Sequence, residues 1–257
     1  MNTVSKLTAT VIACLLPTIQ ICSQDKEDNK VEAYIDATIV SHYMWRGTDM
    51  GGVSIQPTAY VSWKGLILKA EGNAGLESID NKELDLLLGY ERYGFNIGIT
   101  DYWASGADKN NRYFHYEEHG AHQFEANIGY TCKYGSLQAY TMFWGNDFKI
   151  SGKRAYSTYA QLDVPFKLGG LDWNLAVGGT FFESAGHVTE SPGIYDDEII
   201  YISNYYYAKG PACVMAALRA TKTLELNSVH LPVFVEMHTN PYMQTANLLF
   251  GVTINPF

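Results

Sequence analysis

Beyond residue 24 the chain has no apolar run approaching the eighteen or more residues that a membrane-spanning helix needs, and its longest, Ala212 to Leu218, is a fraction of that. An α-helical membrane protein is excluded. Charge is sparse at 18% of residues, and basic charge sparser still, with 18 Lys plus Arg against 27 Asp plus Glu. The resulting net charge of −9 argues against a nucleic-acid footprint and against a polybasic membrane anchor. Cysteine is scarce too. Of four, Cys14 and Cys22 fall in the N-terminal leader, and the spacing of Cys132 and Cys213 suggests neither a disulfide framework nor a metal site; they read as two free, small apolar residues. What the 257 residues hold in quantity is aromatic surface: 19 Tyr, 11 Phe and 5 Trp, in a composition that is 47% hydrophobic and long enough to bury a sizeable core.

Residues 1–23 read as an export signal. Lys6 is the one charge before an apolar stretch from Leu7 to Ile21, and the polar run Ser23-Gln24-Asp25-Lys26-Glu27 follows. Pro17 and Gln20 interrupt the stretch, which disfavours a retained anchor. Cleavage after Ser23 removes Lys6 and leaves a single domain, residues 24–257, with a charge of 17 − 27 = −10.

In that domain the dominant period is two. Val53 to Lys64 alternates without a slip, Val53, Ile55, Pro57, Ala59, Val61 and Trp63 on one side and Ser54, Gln56, Thr58, Tyr60, Ser62 and Lys64 on the other. Glu32 to Arg46 alternates likewise and reads as one strand, and the pattern recurs through Leu66–Ala74, Glu83–Glu91, Phe95–Thr100, Gln123–Lys133, Leu137–Phe143, Ala160–Val164, Leu171–Phe181, Val229–His238 and Asn247–Ile254. Many of these strands reach about ten residues, the length a tilted strand needs to cross a bilayer. Connections alternate between very short ones, such as Lys64-Gly65, Arg92 to Gly94, Tyr134-Gly135 and Lys167 to Gly170, and long polar ones at Thr48 to Gly52, Ser78 to Lys82, Ala104 to Gly120, Gly145 to Arg154 and Glu183 to Glu198. Aromatic residues gather at strand ends: Trp63, Tyr90, Tyr130, Phe166 and Trp173 near the short turns, Tyr43, Trp45, Trp103, Phe143 and Phe181 near the long loops. Two girdles are implied. The fold class expected is all-β, a closed antiparallel up-and-down transmembrane barrel in the outer membrane. Counting one long strand between Asp197 and Leu224 makes twelve strands. A soluble barrel or sandwich would also alternate, but with shorter strands and without aromatics sorted to their ends.

The run Ser41-His42-Tyr43-Met44-Trp45-Arg46-Gly47, followed by Gln56-Pro57, resembles the start of the TorF-type porin (Gcw_chp) family. Glu83-Leu84-Asp85 with Gly89-Tyr90, Gly98-Ile99 with Tyr102, and Tyr156-Ser157-Thr158-Tyr159 follow in that family's order, so the resemblance covers roughly residues 32–166. It implies an outer-membrane barrel with a transport role and names no solute. The terminal Phe257 is similar to the aromatic ending through which barrels meet the barrel-assembly machinery. The partners expected are therefore that machinery, outer-membrane lipids and small solutes; no cofactor, metal or nucleic acid is called for.

With the apolar parity facing lipid, the other parity lines the lumen. The residues placed on a pore in this way are Arg46, Glu71, Glu83, Asp85, Glu125, Asp163 and Glu236. Acids in excess of bases would favour cations or neutral solutes in a narrow channel. The same charges would equally serve as satisfied networks bracing a closed structural barrel. Arg46 has both readings in miniature: a pin that holds a loop through lumen acids, or a selectivity charge in the solute path.

Two other constellations stand out. His115-Tyr116-Glu117-Glu118-His119-Gly120-Ala121-His122 clusters imidazoles and carboxylates but matches no metal-ligand spacing and reads as a polar surface loop. Asp101, Ser105 and His122 share the outward parity at a strand rim, the placement of the Ser and His of outer-membrane lipid hydrolases; an acyl hydrolase on the barrel wall is thus the alternative function. Otherwise no enzymatic activity is expected.

Overall fold

The structure, a computed structural model, describes residues 30–76, 82–105, 112–192, 199–226 and 229–255. The expected export signal, Phe257 and parts of three expected long loops (77–81, 106–111 and 193–198) lie outside the described residues. In chain order the strands are β1 (Glu32–Val40), β2 (Tyr43–Trp45), β3 (Thr48–Gly51), β4 (Ser54–Trp63), β5 (Leu66–Gly75), β6 (Lys82–Arg92), β7 (Phe95–Ser105) and β8 (His122–Cys132). They continue as β9 (Gly135–Trp144), β10 (Thr158–Leu168), β11 (Leu171–Thr180), β12 (Gly186–Pro192), β13 (Ile199–Tyr205), β14 (Ala212–Leu226), β15 (Val229–Asn240) and β16 (Thr245–Ile254).

Twelve of these close into one antiparallel barrel, β1-β4-β5-β6-β7-β8-β9-β10-β11-β14-β15-β16, and β16 returns to β1 from Ala37↔Ile254 to Val40↔Gly251. The tight turns fall at one end. Lys64-Gly65 (φ +51° and +87°) and Tyr93-Gly94 (φ +54° and +81°) place both central residues in the left-handed region, as the type I′ turns of two-residue hairpins require. Both ends of the barrel chain, near Glu32 and Ile254, lie at this same end, because Glu32 pairs with Ser62 and Ile254 with Ala37.

Alternation sorts the two faces as the period requires. On β16, Leu248 is 76% and Phe250 66% exposed while Leu249 between them is 3% exposed. On β8, Ile128 is 60% exposed and Glu125 1%. The outward parity builds an apolar belt from Ile35, Leu68, Leu88, Ile97, Leu137, Leu162 and Val235, all exposed. Beside the tight turns stand exposed Trp63, Tyr90 and Phe166, the last stacked on Trp173 at 6.1 Å; beside the long loops stand exposed Phe143, Trp144, Phe181 and Phe182. The three prolines of the barrel strands sit where the ladder tolerates them, Pro165 lying beyond the last β9–β10 pair, Asp163↔Ser136. Pairing between β4 and β5 is interrupted at Pro57, whose ring packs on Gly72, and Pro232 precedes the first β15–β16 pair, Val233↔Val252.

Three expectations are corrected. Glu32 to Arg46 is not one strand: β1 stops at Val40, the chain bends at Ser41-His42, and β2 and β3 form a separate hairpin, so Tyr43 and Trp45 leave the outer girdle. The connection from Glu183 to Glu198 is not all loop, since β12 lies within it. The one strand expected between Asp197 and Leu224 is two, β13 and β14; β13 pairs with β12 alone, which is why the barrel still has twelve strands. Cys132, at a tight turn, and Cys213, near the opposite rim, form no disulfide.

Candidate functional site

The chain enters the bore directly after β1. Ser41 is held to β16 by two bonds, its N–H donating to the Phe250 carbonyl at 2.9 Å and its Oγ accepting from the Phe250 N–H at 3.0 Å. The hairpin β2–β3 then turns over through Arg46 (φ +47°) and Gly47 (φ +87°). An arginine in the left-handed region costs on the order of 1–2 kcal/mol, so the surroundings must impose that conformation. Gly47 explains half of it. Its N–H donates to His238 Nε2 at 3.1 Å, its carbonyl accepts from Asn240 Nδ2 at 3.2 Å, and a Cβ there would stand 1.8 Å from the Val214 carbonyl oxygen. Only glycine can seat the tip of the hairpin on the β14–β15 wall.

Arg46 explains the other half by reaching away from that wall to β8, which lies four strands from β14 and five from β15 round the ring of twelve. Its Nη1 and Nη2 donate to Oε1 and Oε2 of Glu125 at 2.6 and 2.7 Å, a two-pronged ion pair with both side chains nearly fully buried. Nη1 also donates to the Tyr207 hydroxyl at 2.7 Å, and Tyr102 donates to Glu125 Oε2 at 2.8 Å. The guanidinium carbon lies 4.0 Å from the Tyr140 ring centre, 4.5 Å from Trp45 and 4.9 Å from Tyr159. A second inward segment, Tyr206-Tyr207-Ala208 after β13, completes the seal: Tyr207 stacks on Tyr159 at 5.3 Å and on Trp45 at 6.1 Å. Ser184 holds that segment, its Oγ accepting from the Tyr207 and Ala208 N–H groups at 2.9 and 3.1 Å. Burial pushes the Tyr207 phenol above its ordinary value, with Arg46 acting against it, so the hydroxyl is protonated at neutral pH. The long-loop half of the lumen is thus filled by a plug.

Beneath the plug lies a cavity of about 630 Å³ that runs toward the tight-turn end. Glu71 and Asp85 face each other across β5 and β6 on its wall, with Glu83 beside them. Lys69 Nζ is 2.7 Å from Glu71, and the Tyr43 hydroxyl donates to Glu83 at 2.8 Å, tying the plug to the cavity wall. Of the seven lumen residues named from sequence, Glu71, Glu83 and Asp85 line this cavity, and Arg46 and Glu125 are joined in the plug. Glu236 supports the plug from below: it accepts from Arg219 and, at 2.8 Å, from His238 Nδ1, leaving His238 Nε2 to accept from Gly47. Asp163 stands apart, accepting from Gln161 and Asn174 at 2.8 and 3.1 Å. Sequence reasoning missed His238, Asn240, Ser184 and Tyr207. The Arg46-Gly47 dipeptide, an X-Gly pair like those at the tight turns, was the available signal for the inward hairpin; nothing local marks Tyr207.

The outward pair Asp101 and His122 does meet, at 2.8 Å through Nδ1. His122 is fully buried, however, with Nε2 on the Tyr113 carbonyl and the Tyr116 ring 4.0 Å away, so no ring nitrogen is left for a serine hydroxyl. The side chain of Ser105 lies outside the described residues. The pair fastens the loop after β7 to the rim. In that loop His119 packs at a tilt against Phe148 at 4.9 Å, and among the described residues no group of three His, Cys, Asp or Glu side chains converges as a metal site would require.

No family model matches the chain, and no curated protein matches it. Among solved structures it is similar to an outer membrane channel from Pseudomonas putida, at 13% identity with a TM-score of 0.39, covering 90% of this chain and 97% of that one. It is also similar to OmpF of Salmonella typhi in complex with daunomycin, at 10% identity with a TM-score of 0.33, covering 89% of this chain and 98% of that one.

Proposed function

We propose that the protein is an outer-membrane channel for small solutes, with an acid-lined lumen, that the hairpin β2–β3 holds shut. A closed barrel with a belt of exposed aliphatic side chains and aromatic residues toward both ends suits a bilayer, where every strand edge must be paired. The observation that carries the reading is the buried Arg46–Glu125 pair at the tip of a hairpin that is no part of the wall. A barrel built only for support would fill its bore with wall side chains; here a separate piece of chain, anchored on both sides, does so. The stretch Ser41 to Gly47, one of the motifs that carry the TorF-type resemblance, forms the first strand and the turn of this hairpin.

The test has two stages. Fractionation followed by heat-modifiable gel migration should recover a barrel from the outer membrane, and a soluble periplasmic protein would end the proposal. In planar bilayers the purified protein should then give discrete conductance steps with a cation preference that weakens in Glu83→Gln and Asp85→Asn. A barrel that never conducts, even with residues 42–51 replaced by a short Gly-Ser linker, is a structural barrel.

A further inference from the structure

The cavity beneath the plug has features that a simple passage does not need. We propose that it is a binding site for a small organic amine, a protonated ammonium on an aromatic or apolar body, admitted from the tight-turn end. The proposal builds on the closed-channel reading, because the plug makes the cavity a blind pocket. Its volume, about 630 Å³, falls within the range of pockets that enclose a small ligand.

The wall on β5 and β6 carries Glu71, Glu83 and Asp85 against one base, Lys69, whose Nζ is committed to Glu71. Glu83 accepts a neutral hydroxyl from Tyr43. Asp85 lines the cavity with no ion-pair partner among the described residues, and its Oδ1 is buried with no hydrogen-bond partner. Asn127 Oδ1, on the cavity lining contributed by β8, is buried and unpartnered in the same way. An acid-rich wall whose one base is already paired leaves excess negative charge on the cavity, and a ligand carrying positive charge relieves it. The rest of the lining supplies the body of the site. Tyr34 and Tyr60 stack at 4.8 Å, and the cavity also borders Tyr102 and Tyr140, offering ring faces to an ammonium and flat surface to an aromatic ligand. The carboxylates do not converge as ligands on one point, so the arrangement suits an extended organic cation over a hard divalent ion.

Titration calorimetry of the intact barrel in detergent micelles decides the matter, with tyramine as the probe and its neutral alcohol analogue, 2-(4-hydroxyphenyl)ethanol, as the control. Tyramine should bind saturably at one site, and the alcohol more weakly by about tenfold or more, the worth of one charge-assisted hydrogen bond. Asp85→Asn should weaken tyramine by a similar factor and leave the alcohol unchanged. Should Asp85→Asn fail to fold, as judged by loss of heat-modifiable migration, Thr58→Lys is the second variant. It sets a fixed cation opposite Glu71 and should abolish tyramine binding. Equal binding of amine and alcohol, binding that ignores both substitutions, displacement of tyramine by millimolar calcium alone, or no saturable heat would each overturn the site. Binding in micelles does not depend on conduction. Amine binding by a barrel that never conducts would remove the channel reading and leave the site, and conduction without amine binding would do the reverse.

Discussion

Removing the Arg46 guanidinium should open the barrel, and the structure sets the size of the effect. In the plugged state Arg46→Ala leaves the Glu125 carboxylate nearly fully buried with Tyr102 as its remaining donor, while in an unplugged state the same carboxylate would face a hydrated lumen. Breaking one side of a buried ion pair costs about 3–5 kcal/mol, and here the cost falls on the closed state alone. At about 1.4 kcal/mol per decade, the ratio of open to closed should rise roughly a thousandfold. Arg46→Gly loses the same pair but removes the penalty of a side chain at φ +47°, about 1–2 kcal/mol, so its ratio should rise only about a hundredfold. Adding Glu125→Gln to Arg46→Ala removes the stranded charge and should recover part of the closure. Single-channel recording in planar bilayers reads all three as open probability, with heat-modifiable migration confirming that each barrel is intact. The reasoning fails if the three variants open no more often than the parent. It fails equally if Arg46→Ala unfolds the barrel instead of unplugging it, for the hairpin would then be part of the wall's stability.

Two further outcomes test the rest of the molecule. Ala59 faces outward and Thr58 lines the lumen cavity, so Ala59→Arg should cost about 2–4 kcal/mol of folding into lipid vesicles while Thr58→Arg is mild; equal or reversed costs would place the barrel inside out. His122→Ala should speed proteolysis within residues 112–121, because it releases Asp101 and the Tyr113 carbonyl together, and leave conductance unchanged; if the loop resists protease as before, the pair is no fastening.

Strand existence, strand length and the division between lipid and lumen faces were legible in the sequence because each depends on neighbours one or two residues apart. Leu248, Leu249 and Phe250 declare their sides by alternation alone, and the tight turns declare themselves by X-Gly pairs. Even the twelve-strand count came out although the stretch from Asp197 to Leu224 holds two strands, since β13 adds no member to the ring. Glu71, Glu83 and Asp85 were placed in the lumen by the same parity. What parity could not decide was where β1 ends, because Tyr43 and Trp45 continue the alternation beyond Val40 while the chain has already turned inward. That turn is settled by partners 79 to 193 residues away: Glu125, Tyr207, His238 and Asn240. The closed bore is a property of tertiary structure, because a hairpin of a few residues has too few contacts of its own to choose between solvent and lumen. It is the opposite walls of the finished barrel, one offering Glu125 and the other a surface that only Gly47 fits, that make the inward position the stable one.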